Sequence, residues 1–391
     1  MIRRSVKPSK KLSFFLFGAR GTGKSTWLQE AFLPEEHLWI DLTNPKEERR
    51  YARKPEILLD EWHDFTKSQL TKSVSEPWIV IDEVQKIPAI LDVVHVGIQR
   101  HKIKFALTGS SARKLKRGAA NLLAGRALTY RMHPFTYSEL GGMFRLDDYL
   151  QWGGLPMIQG IDSPDDRRRY LSSYVDTYLR EEIQIEQLVR KIEPFRMFLD
   201  VVGQMNGEII NIAKLAKQAE IDPKSGERYF EILNDTLVGF YLPAFDRSIR
   251  KAQLKHPKFY MFDVGVARAI RGELSLNLEP HTGAYGRCFE HFVVQQIFAL
   301  NDYHQAGWRL SYLRTKDGNE VDLVIERPEK PLLFVEIKSS NRPESLNLNS
   351  FRSLAKDAKA EAVVICTADR AMDLDNIRAM PWRQCLEDWF S

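Results

Sequence analysis

The chain has little cysteine, no long apolar run and no biased tract, and each lack removes a class of protein. Three cysteines in 391 residues, Cys288, Cys366 and Cys385, are too few and too scattered for a disulfide framework or a zinc cluster. They suit a reducing, cytoplasmic setting. No apolar stretch approaches the roughly 18 residues of a membrane span, and the basic start MIRRSVKPSKK lacks the apolar segment of a secretion signal. Internal repeats and low-complexity segments are missing too, while 43% hydrophobic and 28% charged residues describe a chain with real cores. A net charge of +5 is mild, so a polyanionic partner would have to be met by local clusters.

The length exceeds one hydrophobic core, so two or three domains are expected. Over residues 12–131 the runs LSFFLF, HLWIDL, WIVID, IKFALT and RALTYRM read as strands separated by amphipathic stretches. This is the rhythm of an α/β fold, a parallel sheet between helices. From 134 to 206 strands vanish, helices are expected over 167–186 and 194–205, and a glycine-rich linker over 141–156 joins the two regimes. Residues 207–262 give helix, turn, helix and a β-wing. Residues 284–367 return to one helix, two strands, a helix and the run VVIC.

The chemistry begins between LSFFLF and the helix expected over 25–32. There Gly18, Ala19, Arg20, Gly21, Thr22, Gly23, Lys24 and Ser25, followed by Thr26, fit GxxxxGK[ST]. Glycines let backbone N–H groups wrap phosphates, the helix N-terminus adds a favourable dipole, Lys24 reaches β and γ oxygens, and Ser25 holds magnesium. WIVIDE supplies the second half: Asp82 as a magnesium ligand, mostly through water, and Glu83 to polarise the water that attacks the γ-phosphorus. The expectation is ATP binding with Mg2+ and ATP hydrolysis. IKFALTGSS ends in hydroxyls where a γ-phosphate sensor would sit, Thr108 first and Ser110 next, although a strand-end cap has the same appearance. Arg126, or else Arg113, would neutralise charge on the transferred phosphoryl group from a neighbouring subunit; either is equally readable as a solvated surface arginine.

In the middle, IINIAKLAKQAEIDPKSGERYFEILND has the pattern of a helix-turn-helix. Lys217, Lys224 and Arg228 on its approaching face, with Arg247, Arg250, Lys251, Lys255 and Lys258 in the following stretch, would grip a DNA duplex through its phosphates. The competing reading is a packing module whose charges are solvated. Near the C-terminus Glu290 lies on an amphipathic helix, Asp322 on the strand EVDLVIE, and Glu336 and Lys338 on FVEIK after a turn through RPEKP. Alternation puts Glu336 and Lys338 on one side of the strand, where acids could bind a metal and the lysine could orient water.

The order Glu290, Asp322, Glu336-x-Lys338 resembles the PD-(D/E)xK nuclease fold, which hydrolyses phosphodiesters with magnesium, though such folds are also kept for binding. Nearly the whole chain, from GARGTGKST through WIVIDEVQKIP, LTGSSARKL, LAGR, HPFTYSEL, GGLP, YLREEI, KFYMFDVGVAR, GRCFEHFV and EVDLVIE to VEIKSS, resembles the prokaryotic AAA+ ATPases that carry a C-terminal domain of unknown function. The resemblance implies an AAA+ core with a parallel five-stranded sheet over 1–135, a helical lid over 136–206, a winged helix over 207–265 and a restriction-endonuclease-like domain over 266–391. It also implies ATP hydrolysis at the interfaces of a homo-oligomer.

Overall fold

The structure, a computed structural model, describes residues 2–32, 37–69, 77–111, 123, 125–178, 192–246 and 255–390. It divides into two compact units, one of Met1–Phe135 with Asp235–Leu237 and one of Thr136–Asn234 with Val238–Ser391. The segments read from the sequence as a lid, a winged helix and a C-terminal domain all fall, apart from residues 235–237, in the second unit.

In the first unit five runs rich in β-branched and aromatic residues become strands: β1 (Ser13–Phe17), β2 (His37–Asp41), β3 (Trp78–Asp82), β4 (Lys104–Gly109) and β5 (Ala127–Arg131). Every pairing is parallel, in the order β2-β3-β4-β1-β5. β1 and β3 are buried at every residue, which is why SFFLF and WIVID are continuous apolar runs without alternation. α1 (Lys24–Ala31), α2 (Pro45–Arg53), α3 (Ile57–Gln69) and α4 (Ile90–His101) accompany the strands. α2 starts where Asn44 accepts from the Lys46 N–H at 2.9 Å and Pro45 opens the first turn. The core joins Phe15, Phe17, Ile79, Ile81 and Leu107 of the sheet to Leu58, Ile90, Leu91 and Val94 of the helices, each such side chain contributing about 2 kcal/mol of burial.

The chain leaves β1 for the edge strand β2, steps back through β3 and β4, and then crosses to β5 on the other side of β1. The carboxyl end of β1 is therefore a switch point, and the segments after β1, β3 and β4 gather at the same edge.

The second unit opens with α5 (Tyr137–Leu140), where Thr136 and Glu139 form a capping box. It continues through α6 (Leu146–Trp152), α7 (Pro164–Tyr178) and α8 (Ile192–Gln204). The expected glycine-rich linker over 141–156 is corrected here, because α6 lies inside it with Tyr149, Leu150 and Trp152 buried. Gly153 serves close packing: a Cβ there would collide with the Asp263 carboxylate, which accepts from the Gly154 N–H at 2.7 Å and the Val266 N–H at 3.0 Å.

Next come α9 (Ile212–Gln218) and α10 (Pro223–Asp235), then an antiparallel pair of β6 (Gly239–Leu242) and β7 (Lys258–Met261). α11 (Val264–Ile270) and α12 (Gly283–His304) lead into a six-stranded sheet of β8 (Arg309–Arg314), β9 (Glu320–Glu326), β10 (Leu333–Ile337), β11 (Glu361–Cys366), β12 (Met372–Leu374) and β13 (Ile377–Pro381). Its order is β12-β13-β11-β10-β9-β8, with α13 (Asn349–Ala358) before β11 and α14 (Trp382–Phe390) at the end. β8, β12, β13 and α14 go beyond the sequence reading. Only Ser311, Tyr312 and Leu313 of the arginine-ended β8 are buried, so its apolar signal is weak. β12 and β13 are short and meet through Asp375 and Asn376, both left-handed with φ 47° and 68°, a two-residue turn of hairpin type.

Candidate functional site

At the switch point the glycine loop is fixed by its neighbours. The Gly18 N–H donates to the Gly109 carbonyl at 3.3 Å, and the Met132 N–H to the Phe17 carbonyl at 2.7 Å. A Cβ on Gly18 would strike the Met132 carbonyl, so glycine is required by close approach as well as by the loop. Gly21 and Gly23 have φ 78° and 91°, conformations that L side chains avoid. α1 then begins at Lys24, which is 5% exposed; its ammonium donates to the carbonyls of Gly18 at 2.8 Å and Ala19 at 3.2 Å. Thr22 closes the loop by donating to Ala19 O at 2.8 Å. Arg20 and Thr26 are exposed.

β3 delivers the acids. Burial pushes the Asp82 carboxyl above its usual range, opposed by hydrogen bonds from the side chains of Ser25 and Thr108. Ser25 and Asp82, the expected magnesium ligands, are thus adjacent, and a hydroxyl beside a buried carboxylate is an oxygen donor set suited to magnesium. Glu83 follows in a left-handed conformation at φ 58°; its N–H donates to Thr108 Oγ1 at 3.1 Å, while the Thr108 hydroxyl donates to Asp82. The Glu83 Oε2 accepts from the Ser110 hydroxyl at 3.1 Å, the Ser110 N–H at 3.4 Å and the Gln85 amide. Thr108 and Ser110, read from sequence as sensor candidates, therefore hold the two acids. Gln85 was missed by sequence reasoning; its place two residues after Glu83 in a tight turn was the available signal.

Arg126 is bound to α4: with the Gln99 amide oxygen facing it, Gln99 accepts from Arg126 at 2.7 and 3.3 Å and donates to His95 at 3.1 Å. Arg113 lies outside the described residues.

The second unit gathers another set of charges. Lys338 reaches Glu336 at 2.7 Å and Asp322 at 3.3 Å, and Asp322 also accepts from the Ile337 N–H at 2.8 Å. Tyr260 donates to Glu290 at 2.7 Å. Lys258, 4% exposed, pairs with Glu320 at 2.6 Å and Glu290 at 3.4 Å. This corrects the placing of Lys258 in a phosphate-gripping wing: alternation on β7 sends Lys258 and Tyr260 to one face, against Glu290. Burial raises the carboxyls of Glu290 and Glu336, and Asp322 pushes both further in that direction. One oxygen of Glu336 is buried without a hydrogen-bond partner. Among the described residues, no group of three or more His, Cys, Asp or Glu is arranged to hold a metal; the expected triad Glu290, Asp322 and Glu336 is interleaved with lysines instead.

Lys217, Lys224, Arg228 and Lys255 are exposed, whereas Arg247, Arg250 and Lys251 lie outside the described residues. No helix among the described residues is long and apolar enough to cross a membrane.

Comparison with known proteins agrees with the geometry of the first unit. Residues 10–141 match the family model of an AAA domain. Residues 143–280 and 285–385 match two families each described as a domain of unknown function, DUF8612 and DUF4143. Uncharacterized proteins of Mycobacterium bovis and Mycobacterium tuberculosis are each 27% identical over 378 residues, covering 95% of this chain and 80% of the relative. An uncharacterized protein of Methanocaldococcus jannaschii is 21% identical, covering 89% of this chain and 80% of its own. The Aeropyrum pernix ORC2 protein, solved as ADPNP–ADP complexes, aligns at 12% identity and a TM-score of 0.36, over 68% of this chain and 87% of that one, a likeness too slight to carry argument. The chain thus carries a P-loop α/β unit of the AAA type ahead of two regions whose families have no described function.

Proposed function

We propose that this protein is a magnesium-dependent ATPase whose turnover is coupled to DNA. The observation that carries the first part is the meeting of Lys24 and Ser25 with Asp82, Glu83 and Thr108 at one edge of a parallel sheet. Phosphate oxygens would take over the hydrogen bonds that Lys24 makes to the loop carbonyls, Ser25 and Asp82 would hold magnesium, and Glu83 would accept a proton from the attacking water. Magnesium supplies charge neutralisation at the phosphates. Assembly into a homo-oligomer would let Arg113 or Arg126 act on a neighbour's nucleotide, and for Arg126 this means exchanging its bond to Gln99.

Coupling to DNA is supported by the exposure of Lys217, Lys224 and Arg228 on the paired helices α9 and α10. The test is ATP turnover with and without duplex DNA for the wild type, Lys24→Ala and Glu83→Gln. Turnover in the wild type, stimulated by DNA and lost in both variants, is expected; wild-type turnover no higher than that of Lys24→Ala would sink the proposal.

A second reading, a nucleotide-dependent switch whose C-terminal units bind partners, is favoured by the lysines interleaved among Glu290, Asp322 and Glu336. Against it stands the unpartnered, buried oxygen of Glu336, which suits a cation in a nuclease-like site. DNA cleavage with magnesium or manganese that disappears in both Asp322→Ala and Lys338→Ala separates the two.

A further inference from the structure

We infer that Gln85 is a positioning residue for ATP hydrolysis, holding the carboxylate of Glu83 in the one orientation that meets water; this rests on the reading of Glu83 as the base. Gln85 lies in the single tight turn Val84–Lys86 that follows β3 and is 5% exposed. An apolar side chain of that size would be buried there without cost, whereas an amide has to find partners. Its Nε2 finds two: the Glu83 carboxylate and, at 3.0 Å, the Ser110 hydroxyl. Ser110 in turn donates its own hydroxyl and N–H to the same Glu83 oxygen. One oxygen of the carboxylate is therefore fixed by three donors, and the other is left for a water proton.

The backbone is built for this arrangement. The left-handed Glu83 is held by its bond to Thr108 Oγ1 at 3.1 Å and by the Lys86 N–H donating to its carbonyl at 3.0 Å, a local strain that the neighbours must offset. The amide also requires Gly109, since a Cβ there would lie 2.7 Å from Gln85 Oε1. That oxygen is buried and unpartnered, so the hydrogen bonds the side chain makes here are those of its nitrogen. A base whose rotamer is locked meets its water in one geometry, and misplacing a reacting group by about 1 Å costs on the order of 100-fold in rate.

The experiment measures kcat and KM for ATP in Gln85→Met, which keeps the bulk and removes the donor, and in Ser110→Ala. Nucleotide affinity from a fluorescent ADP analogue serves as the check on folding. Both variants should lose about 10- to 100-fold in kcat with KM and affinity within about threefold. Adding Gln85→Met to Glu83→Gln should change residual turnover no further, because no base remains to be positioned; a merely structural amide would lower it again. An unchanged kcat in Gln85→Met, with Glu83→Gln inactive, overturns the inference and leaves the ATPase reading standing. A wild type no more active than Lys24→Ala overturns both.

Discussion

Lys258 enters the interior at the end of a stretch whose composition is that of a solvated basic wing, and composition is a poor guide to which charge points inward. Burial pulls its pKa down, yet Glu290, Glu320 and Asp322 hold it charged, above the usual lysine range. Among the described residues, removing the ammonium leaves Glu290 and Glu320 with the Tyr260 hydroxyl and Arg314, the latter at 3.3 Å from Glu320. Breaking a buried pair from one side costs about 3–5 kcal/mol. Lys258→Met should therefore lower the thermal stability of the second unit by that order, and Lys258→Met with Glu290→Gln and Glu320→Gln should recover most of it; a melt unmoved by the single change would refute the account. Legibility at this scale follows the same line. The meeting of Lys24 and Ser25 with Asp82 and Glu83 was legible because the phosphate and metal chemistry proposed for them would dictate both residue type and spacing. Lys258 was not, since its partner Glu290 lies 32 residues away along the chain, and Gln85 was passed over because its burial beside Ser110, 25 residues on, is not visible in the local pattern.

Strands and helices show a similar division between what periodicity reveals and what contact decides. β1 and β3 of the first unit were legible because burial at every residue leaves continuous apolar runs, while α6 was taken for a linker because its flanking glycines resemble a flexible joint. Gly153 at its end marks a close approach, and across the same contact a Cβ on Gly265 would enter the Trp152 carbonyl, whereas a Cβ on Gly141 or Gly142 would meet nothing within 4 Å. Two buried groups fasten these elements and have opposite pH dependence. Burial pushes Asp263 up to about 6, against the hydrogen bonds from Gly154 and Val266. The folded state then binds its proton more tightly than the unfolded chain, so its contribution to stability falls as pH rises from about 4 to about 6. Burial pulls His291 down to about 3; it bridges Asn206 at 3.1 Å and the Met261 carbonyl at 2.6 Å. Here the unfolded chain binds the proton more tightly, and stability is lost as pH falls below about 6.5. Between pH 4 and 6 the two oppose each other. Asp263→Asn should make melting temperature rise more steeply with pH across that window, and His291→Gln should make it rise less. Parallel profiles for wild type and variant would show that the group is solvated in the folded protein.

For the whole chain, a net charge of +5 is too small to drive association by itself, so the DNA proposal depends on where a few cations stand. The P-loop motif lies within residues 10–141, which match an AAA domain, whereas the number of strands in the C-terminal sheet needed pairings such as Leu374 with Ile377 that no local pattern announces. Lys217, Lys224 and Arg228 are exposed in the region of α9 and α10, and the Arg228 guanidinium lies 5.4 Å from the centre of the Tyr229 ring, which limits how far it can swing. Each phosphate neutralised on duplex DNA contributes about 0.9 to the slope of log affinity against log salt concentration. Lys217→Ala, Lys224→Ala and Arg228→Ala together should reduce that slope by about 2 to 3 and weaken different duplex sequences alike, because phosphate contacts carry no base information. Basal ATP turnover should persist in the triple variant while stimulation by DNA is lost. Retained stimulation with an unchanged salt slope would move the DNA contact off these helices, and loss of basal turnover as well would mean that the charges support the ATPase itself.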